Sequence, residues 1–194
     1  MNRHQTVRDA IEASLQTISA IARDETLHRR IELAADRCIE SLKRGGKILF
    51  AGNGGSAADC QHMAGEFVSR LNFDRPGLCA FALTVDSSVM TAIGNDYGFD
   101  QVFSRQIESS ARETDVLIAY STSGNSANIL RAVESAKKIG TFTLGMTGDR
   151  HGRLDDLCDL CIQVPSGYTP HIQEAHLIIG HILCGIVETR MFCG

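Results

Sequence analysis

Apolar residues recur at three- and four-residue steps through the first 45 positions. Val7, Ile11, Leu15, Ile18 and Ala22 fall on one face of a helix, and Leu27, Ile31, Ala34, Cys38 and Leu42 on one face of a second. Gly45-Gly46 closes the second helix, as a C-terminal glycine does. The pattern then changes to short apolar runs separated by helical stretches. The runs KILFA (47–51), LCAFAL (78–83), VLIAY (116–120), TFTLGM (141–146) and LCIQV (160–164) predict five strands. Helices are predicted over 57–70, from Asp86 as cap to 93, over 103–111, up to 138, and over 171–190, with Pro165 and Pro170 bracketing a loop before the last.

These runs are continuously apolar rather than alternating, as strands buried on both faces require. Strands alternating with helices point to an α/β chain, a three-layer α/β/α sandwich. Its five-stranded parallel sheet would take the flavodoxin-like order 2-1-3-4-5. The division expected is a helical extension over 1–45 and the sheet domain over 46–194. The two leading helices are surplus to the sheet, so their apolar stripes need another surface.

Two loops carry the candidate chemistry. Gly52-Asn53-Gly54-Gly55-Ser56 follows the first strand and opens a helix, and Ser121-Thr122-Ser123-Gly124-Asn125-Ser126 follows the third strand and opens another. In the proposed order these strands flank the switch point, where ligands bind at strand carboxyl ends. Helix N-termini offer amide donors and a positive dipole end to anions, and the serines add hydroxyl donors suited to phosphate oxygens. Neither loop is a dinucleotide fingerprint or a Walker loop. His62 and Glu66 share one helical face four residues apart, and the last helix carries Gln173, Glu174, His176 and His181. A carboxylate and imidazoles beside a phosphate loop suit proton transfer next to a carbonyl.

Net charge of -4 and a pI of about 6.0 leave no basic footprint for nucleic acid. The longest apolar stretch, 177–187, is short of the ~20 residues a bilayer needs, so no membrane is expected. Seven cysteines, most inside apolar runs, fit reduced thiols in a cytoplasmic protein. The pair Cys158 and Cys161 has no second pair to make a zinc ribbon and reads as the approach to a buried strand.

The segments GNGGSAADCQHMAGEF, TAIGNDYGF, YSTSGNSANIL and IQEAHLIIGHI resemble the phosphoheptose isomerases of the sugar-isomerase (SIS) superfamily. The resemblance covers nearly the whole chain. It implies interconversion of sedoheptulose 7-phosphate and glycero-manno-heptose 7-phosphate, the entry to activated heptose for surface glycans such as lipopolysaccharide. It implies that Asn53, Gly54, Gly55, Ser56, Asn95, Asp96 and Gln173 contact substrate, together with Glu66. Ser121, Thr122, Ser123 and Ser126 would hold the phosphate, and Glu66 and His181 would be the acid-base pair. His62, Glu66, Gln173 and His181 match a zinc site of some members. A cation on Glu66 would weaken it as a base, so the zinc implied is tuning or stabilising. The family's state is a homotetramer with active sites at subunit interfaces, Glu66 facing His181 across a boundary. A non-catalytic relative that binds the replication initiator lacks the acid and the histidine that stand here as Glu66 and His181. The competing expectation is a module of that kind, binding a sugar phosphate or a protein partner. Larger aminosugar-phosphate enzymes of the superfamily fit this short chain less well.

Overall fold

A computed structural model describes residues 3–193. Two helices lead, α1 (Arg3–Ile21) and α2 (Glu25–Lys43). The sheet and its coverings follow: β1 (Ile48–Ala51), α3 (Gly55–Val68), β2 (Ala80–Ala82), α4 (Ser87–Tyr97), a single 3₁₀ turn (Phe99–Gln101), α5 (Ser104–Ser110) and β3 (Val116–Tyr120). After these come α6 (Ala127–Ile139), β4 (Phe142–Thr147), α7 (Arg153–Leu157), β5 (Leu160–Gln163) and α8 (Thr169–Phe192). All strands are parallel, in the order β2-β1-β3-β4-β5. The α/β architecture read from the strand runs is the one observed.

The sheet divides the core into two layers. Ile48, Phe50, Ile118 and Leu144 face α2, α3 and α8, while Leu49, Leu117 and Ala119 face α5, α6 and α7. Alternate residues of a strand point to opposite faces, so β1 and β3 are apolar on both, while β4 turns Thr143, Gly145 and Thr147 to the second face, where the threonine hydroxyls bond Asp159 and Asp155. The chain leaves β1 for α3 on the first face and leaves β3 for α6 on the second. The switch in strand order therefore opens a crevice between the starts of α3 and α6.

Local chemistry explains the boundaries. Asp24 caps α2 by accepting from the amides of Thr26 and Leu27, and Asp86 caps α4 by accepting from that of Val89. Gly45, at φ +75°, turns the chain out of α2, and a Cβ on Gly46 would lie 2.4 Å from the carbonyl oxygen of Thr114. Most boundaries shift by one or two residues from the sequence reading, and three larger differences have local causes. The five-residue helix α7 is too short to show a period. Helix α4 runs to Tyr97 instead of ending at 93. Helix α8 begins at Thr169, with Pro170 inside its first turn, where a missing amide proton costs nothing.

The leading helices behave differently from one another. Helix α2 is not surplus: it buries Leu27, Ile31, Ala34, Ala35, Cys38 and Ile39 within this chain, against α8 and the sheet. Helix α1 touches α8 near its end but leaves Val7, Ile11 and Leu15 at 60%, 55% and 54% exposure. Helix α8 spans 24 residues and contains an 18-residue window of mean hydropathy 1.3, long and apolar enough for a bilayer, and here it forms part of the core. Its length exceeds the apolar stretch seen in the sequence because His171, Gln173 and Glu174 interrupt that stretch without interrupting the helix.

His176 on α8 is fully buried, edge-on to the ring of Tyr120 at 5.5 Å. Its Nε2 lies 3.2 Å from the carbonyl oxygen of Thr147, to which it donates. Burial pulls its pKa from 6.5 down to about 4, opposed by that hydrogen bond. Between those two values the unfolded chain binds a proton that the folded chain refuses, so stability falls as pH drops through the window. The gap corresponds to on the order of 3 kcal/mol. The unfolding free energy of the wild type should therefore fall more steeply from pH 6.5 to 4 than that of His176→Phe. Chemical denaturation across this range checks it, and parallel curves would remove His176 as the cause.

Candidate functional site

The two glycine- and serine-containing loops meet at the crevice. After β1 the chain turns through Gly52 to Gly54, which sits at φ +56° as the residue before α3. A Cβ on Gly52 would lie 2.7 Å from the carbonyl oxygen of Ser56. No side chain caps α3 or α6, which leaves their first amides for a ligand. Ser126 precedes α6, and its hydroxyl lies 3.0 Å from that of Ser121. Two reciprocal hydrogen bonds tie the loops together: Asn53 Nδ2 donates to Asn128 Oδ1 at 2.8 Å, and Asn128 Nδ2 donates to Asn53 Oδ1 at 2.9 Å.

The serine loop is held from its far side as well. Gly124 stands at φ +65° with Gly152 against it, and a Cβ on Gly152 would fall 2.8 Å from Gly124 backbone atoms. The amide of Leu154 donates to Gly124 O at 2.9 Å, and that of Arg153 donates to Asn125 Oδ1 at 3.0 Å. Beside the loop is a cleft of about 330 Å³. Thr122, Ser123 and Asn125 form one wall, and Asp149, Arg150 and His151 another.

A second group of polar side chains lies along α3. His62 and Glu66 share a helical face, and α8 brings His181 to them. His62 Nε2 is 3.2 Å from Glu66 Oε1 and 3.2 Å from His181 Nε2. One donor atom from each of the three residues lies within 4.8 Å of the others. Two imidazole nitrogens and a carboxylate oxygen converging from two helices are a donor set that fits zinc, as in His₂Glu catalytic sites. Sequence reasoning passed over Asp59, one turn before His62. Its Oδ2 is buried without a hydrogen-bond partner, and burial raises its pKa to about 6, with His62 opposing the rise. The signal was the spacing: Asp59, His62 and Glu66 all fall on one stripe of α3.

Helices α3 and α8 pack side by side and run the same way. Gln173 lies against Gly55, where a Cβ would be 2.7 Å from its Oε1, and Gly180 lies against Met63. His181 is eight residues, about 12 Å, further along α8 than Gln173. Within one chain Gln173 thus stands at the first loop, and His181 stands at His62. The expectation that Glu66 meets His181 across a subunit boundary is corrected here: parallel packing of α3 on α8 joins them in a single chain. Asn95 and Asp96 are elsewhere, on α4, a helix with no buried residue. Their side chains are exposed and bonded to each other at 2.8 Å. His176 is a core residue, and the exposed Glu174 accepts from the hydroxyl of Ser14.

The SIS domain family matches residues 10–148 of the chain. The chain is 54% identical over 192 residues to the phosphoheptose isomerase of Burkholderia pseudomallei (strain K96243), covering 98% of each. It is 53% identical over 186 residues to that of Aneurinibacillus thermoaerophilus, covering 96% of this chain and 94% of the relative. Its fold matches the solved structure of a phosphoheptose isomerase from Francisella tularensis with a TM-score of 0.93 and 36% identity, over 97% of this chain and all of that one.

The pairing of Asn53 with Asn128 generates a test of how the loops are joined. Asn128 is nearly buried, so Asn128→Ala leaves the Asn53 amide without its partners. The expected loss of stability is about 1–3 kcal/mol. Adding Asn53→Ala should cost little more, with a coupling energy of about 0.5–3 kcal/mol in a double-mutant cycle by urea unfolding. Additive losses would show that the two side chains act independently.

Proposed function

Because the chain belongs to the phosphoheptose isomerase family of SIS-domain proteins, we propose that it interconverts sedoheptulose 7-phosphate and D-glycero-D-manno-heptose 7-phosphate in the cytoplasm. This would be the first step toward nucleotide-activated heptose for surface glycans such as lipopolysaccharide. The observation that carries the reading is the convergence of His62, Glu66 and His181 along α3 and α8, the two helices whose first turns adjoin the glycine and serine loops.

In this reading the phosphate sits on the serine loop, held by Ser121, Thr122, Ser123, Ser126 and the first amides of α6. Asn53, Gly54, Gly55, Ser56 and Gln173 bind hydroxyl groups of the sugar at the first loop. The reaction moves a proton from C1 of the ketose to C2 through an enediol. Glu66 takes the C1 proton and returns it at C2, being partly buried and oriented by His62. His181 exchanges protons with the O1 and O2 oxygens, on which charge develops. Asn95 and Asp96, exposed on α4, would contribute to the site of another copy, in keeping with a homotetramer that has sites at subunit interfaces. The bare stripe of α1 supports the same assembly.

His62, Glu66 and His181 would hold a zinc ion, with Gln173 as a ligand supplied from a neighbouring subunit. Zinc there would add Lewis-acid polarisation of the substrate carbonyl. The chain's own groups still bind, orient and move the protons.

The decisive experiment is incubation with sedoheptulose 7-phosphate in heavy water, followed by NMR. Aldose formation with deuterium entering at the transferred position supports the reading, and an unchanged sugar overturns it. Glu66→Gln keeps shape and removes the base, so turnover should fall at least ~100-fold while substrate still binds. Near-normal turnover would remove Glu66 from that role. Zinc at 100 times its dissociation constant should stabilise the metal-stripped protein by about 2.7 kcal/mol, and His62→Ala should abolish the gain. Calorimetric melting with and without zinc checks this, and equal responses would place any metal elsewhere.

A further inference from the structure

Helix α3 ends where the acid-base cluster begins to matter. The peptide carbonyls of Glu66 and Phe67 lie in its last turn, beyond the reach of the helix's own amide donors. The amide of Leu78 donates to Phe67 O at 3.0 Å, and Arg75, from the loop that follows, supplies the remaining donors. Its Nη2 donates to Glu66 O at 2.8 Å, and its Nη1 donates to Phe67 O at 2.7 Å and Ser69 O at 3.1 Å. Its Nε donates to the carboxylate of Glu188 at 3.1 Å. Glu188 belongs to α8, seven residues beyond His181, and also accepts from the amides of Leu71 at 3.0 Å and Asn72 at 2.8 Å. The two side chains are 3% and 1% exposed. Burial alone would raise the Glu188 pKa, but these amides and the guanidinium hold it below the ordinary carboxylate value.

We propose that Arg75 and Glu188 form a positioning pair that sets the backbone of Glu66 on α3 against His181 on α8. The chemistry singles out these residue types. A guanidinium presents donors in a rigid fork, so one group can bind a helix-end carbonyl and a carboxylate in fixed relative places. The cation also complements the negative end of the α3 dipole. Glu188 neutralises that charge from the other helix, and both ends of the link are satisfied. Glu66 and His181 are thereby tied through four consecutive fixed joints: the Glu66 carbonyl, Arg75, Glu188 and two turns of α8. Neither Arg75 nor Glu188 touches the cluster's reactive atoms, so both act only through placement.

The inference rests on the isomerase reading for its kinetic arm and on geometry alone for its second arm. Arg75→Lys keeps the charge but loses the fork. Glu188→Asp keeps the charge but shortens the reach by one methylene. Supporting groups of this kind typically change activity by about 10-fold or more. Each variant should lower kcat for sedoheptulose 7-phosphate by about that factor and leave KM nearly unchanged, because the phosphate loop is untouched. In histidine-labelled protein, the nuclear Overhauser contact between the His62 and His181 rings, whose centroids are 4.9 Å apart, should weaken in both variants. A lowered melting temperature with kcat and the ring contact intact would make the pair merely structural and overturn the inference, as would failure of both variants to fold. If the wild type lacks isomerase activity, the proposed function falls, and the ring contact still decides the positioning role.

Discussion

The close parallel packing of α3 on α8 is the constraint on which the site depends. It is possible because Gly180 offers no side chain where Met63 lies: a Cβ there would be 2.4 Å from the Met63 sulfur. At that separation residues on the two helices face each other in register, Gly55 with Gln173 and His62 with His181. One helix begins at the first loop and the other begins beside the serine loop. Both therefore carry polar groups away from the ligand crevice in the same direction. A substrate anchored by a phosphate at one end would find acid-base groups at a fixed distance along the helices.

The sheet makes this arrangement rigid. Strands β1 and β3 pair directly, with Ala51 opposite Ala119, so the loops that leave them start side by side. The Asn53–Asn128 pair then locks the two loops above the strand ends. Neither loop is held by its own residues alone: the serine loop leans on α7, and the first loop leans on Gln173. Both loops are thus referenced to elements that are themselves buried in one of the two core layers.

Much of this was legible in the residues. Buried parallel strands leave unbroken apolar runs, so all five could be placed and the strand order inferred. The loops were recognisable because glycine and serine cluster where a strand hands over to a helix. The parts that escaped are those set by long-range packing. His62 and Glu66 could be put on one face of α3, but nothing local to His181 says that it meets them in the same chain. Arg75 reads as a surface cation in a polar loop, and only its burial against Glu188 shows otherwise. Asp59 looks like one acid among many until its unpartnered oxygen is seen. Pro170 read as a loop marker because proline stops helices more often than it starts them, although a first-turn position suits it.

The contact between Gly124 and Gly152 limits how this loop can be altered. Two backbones meet there with no room for a methyl group on either, so neither position can vary alone. A transplant of the serine loop onto another sheet would carry its shape only if the turn before α7 travelled with it. The unit of inheritance for this loop shape is therefore a pair of loops about 28 residues apart in the chain, not a short contiguous motif. Searches or designs that copy the six serine-loop residues alone would reproduce its letters and lose its form.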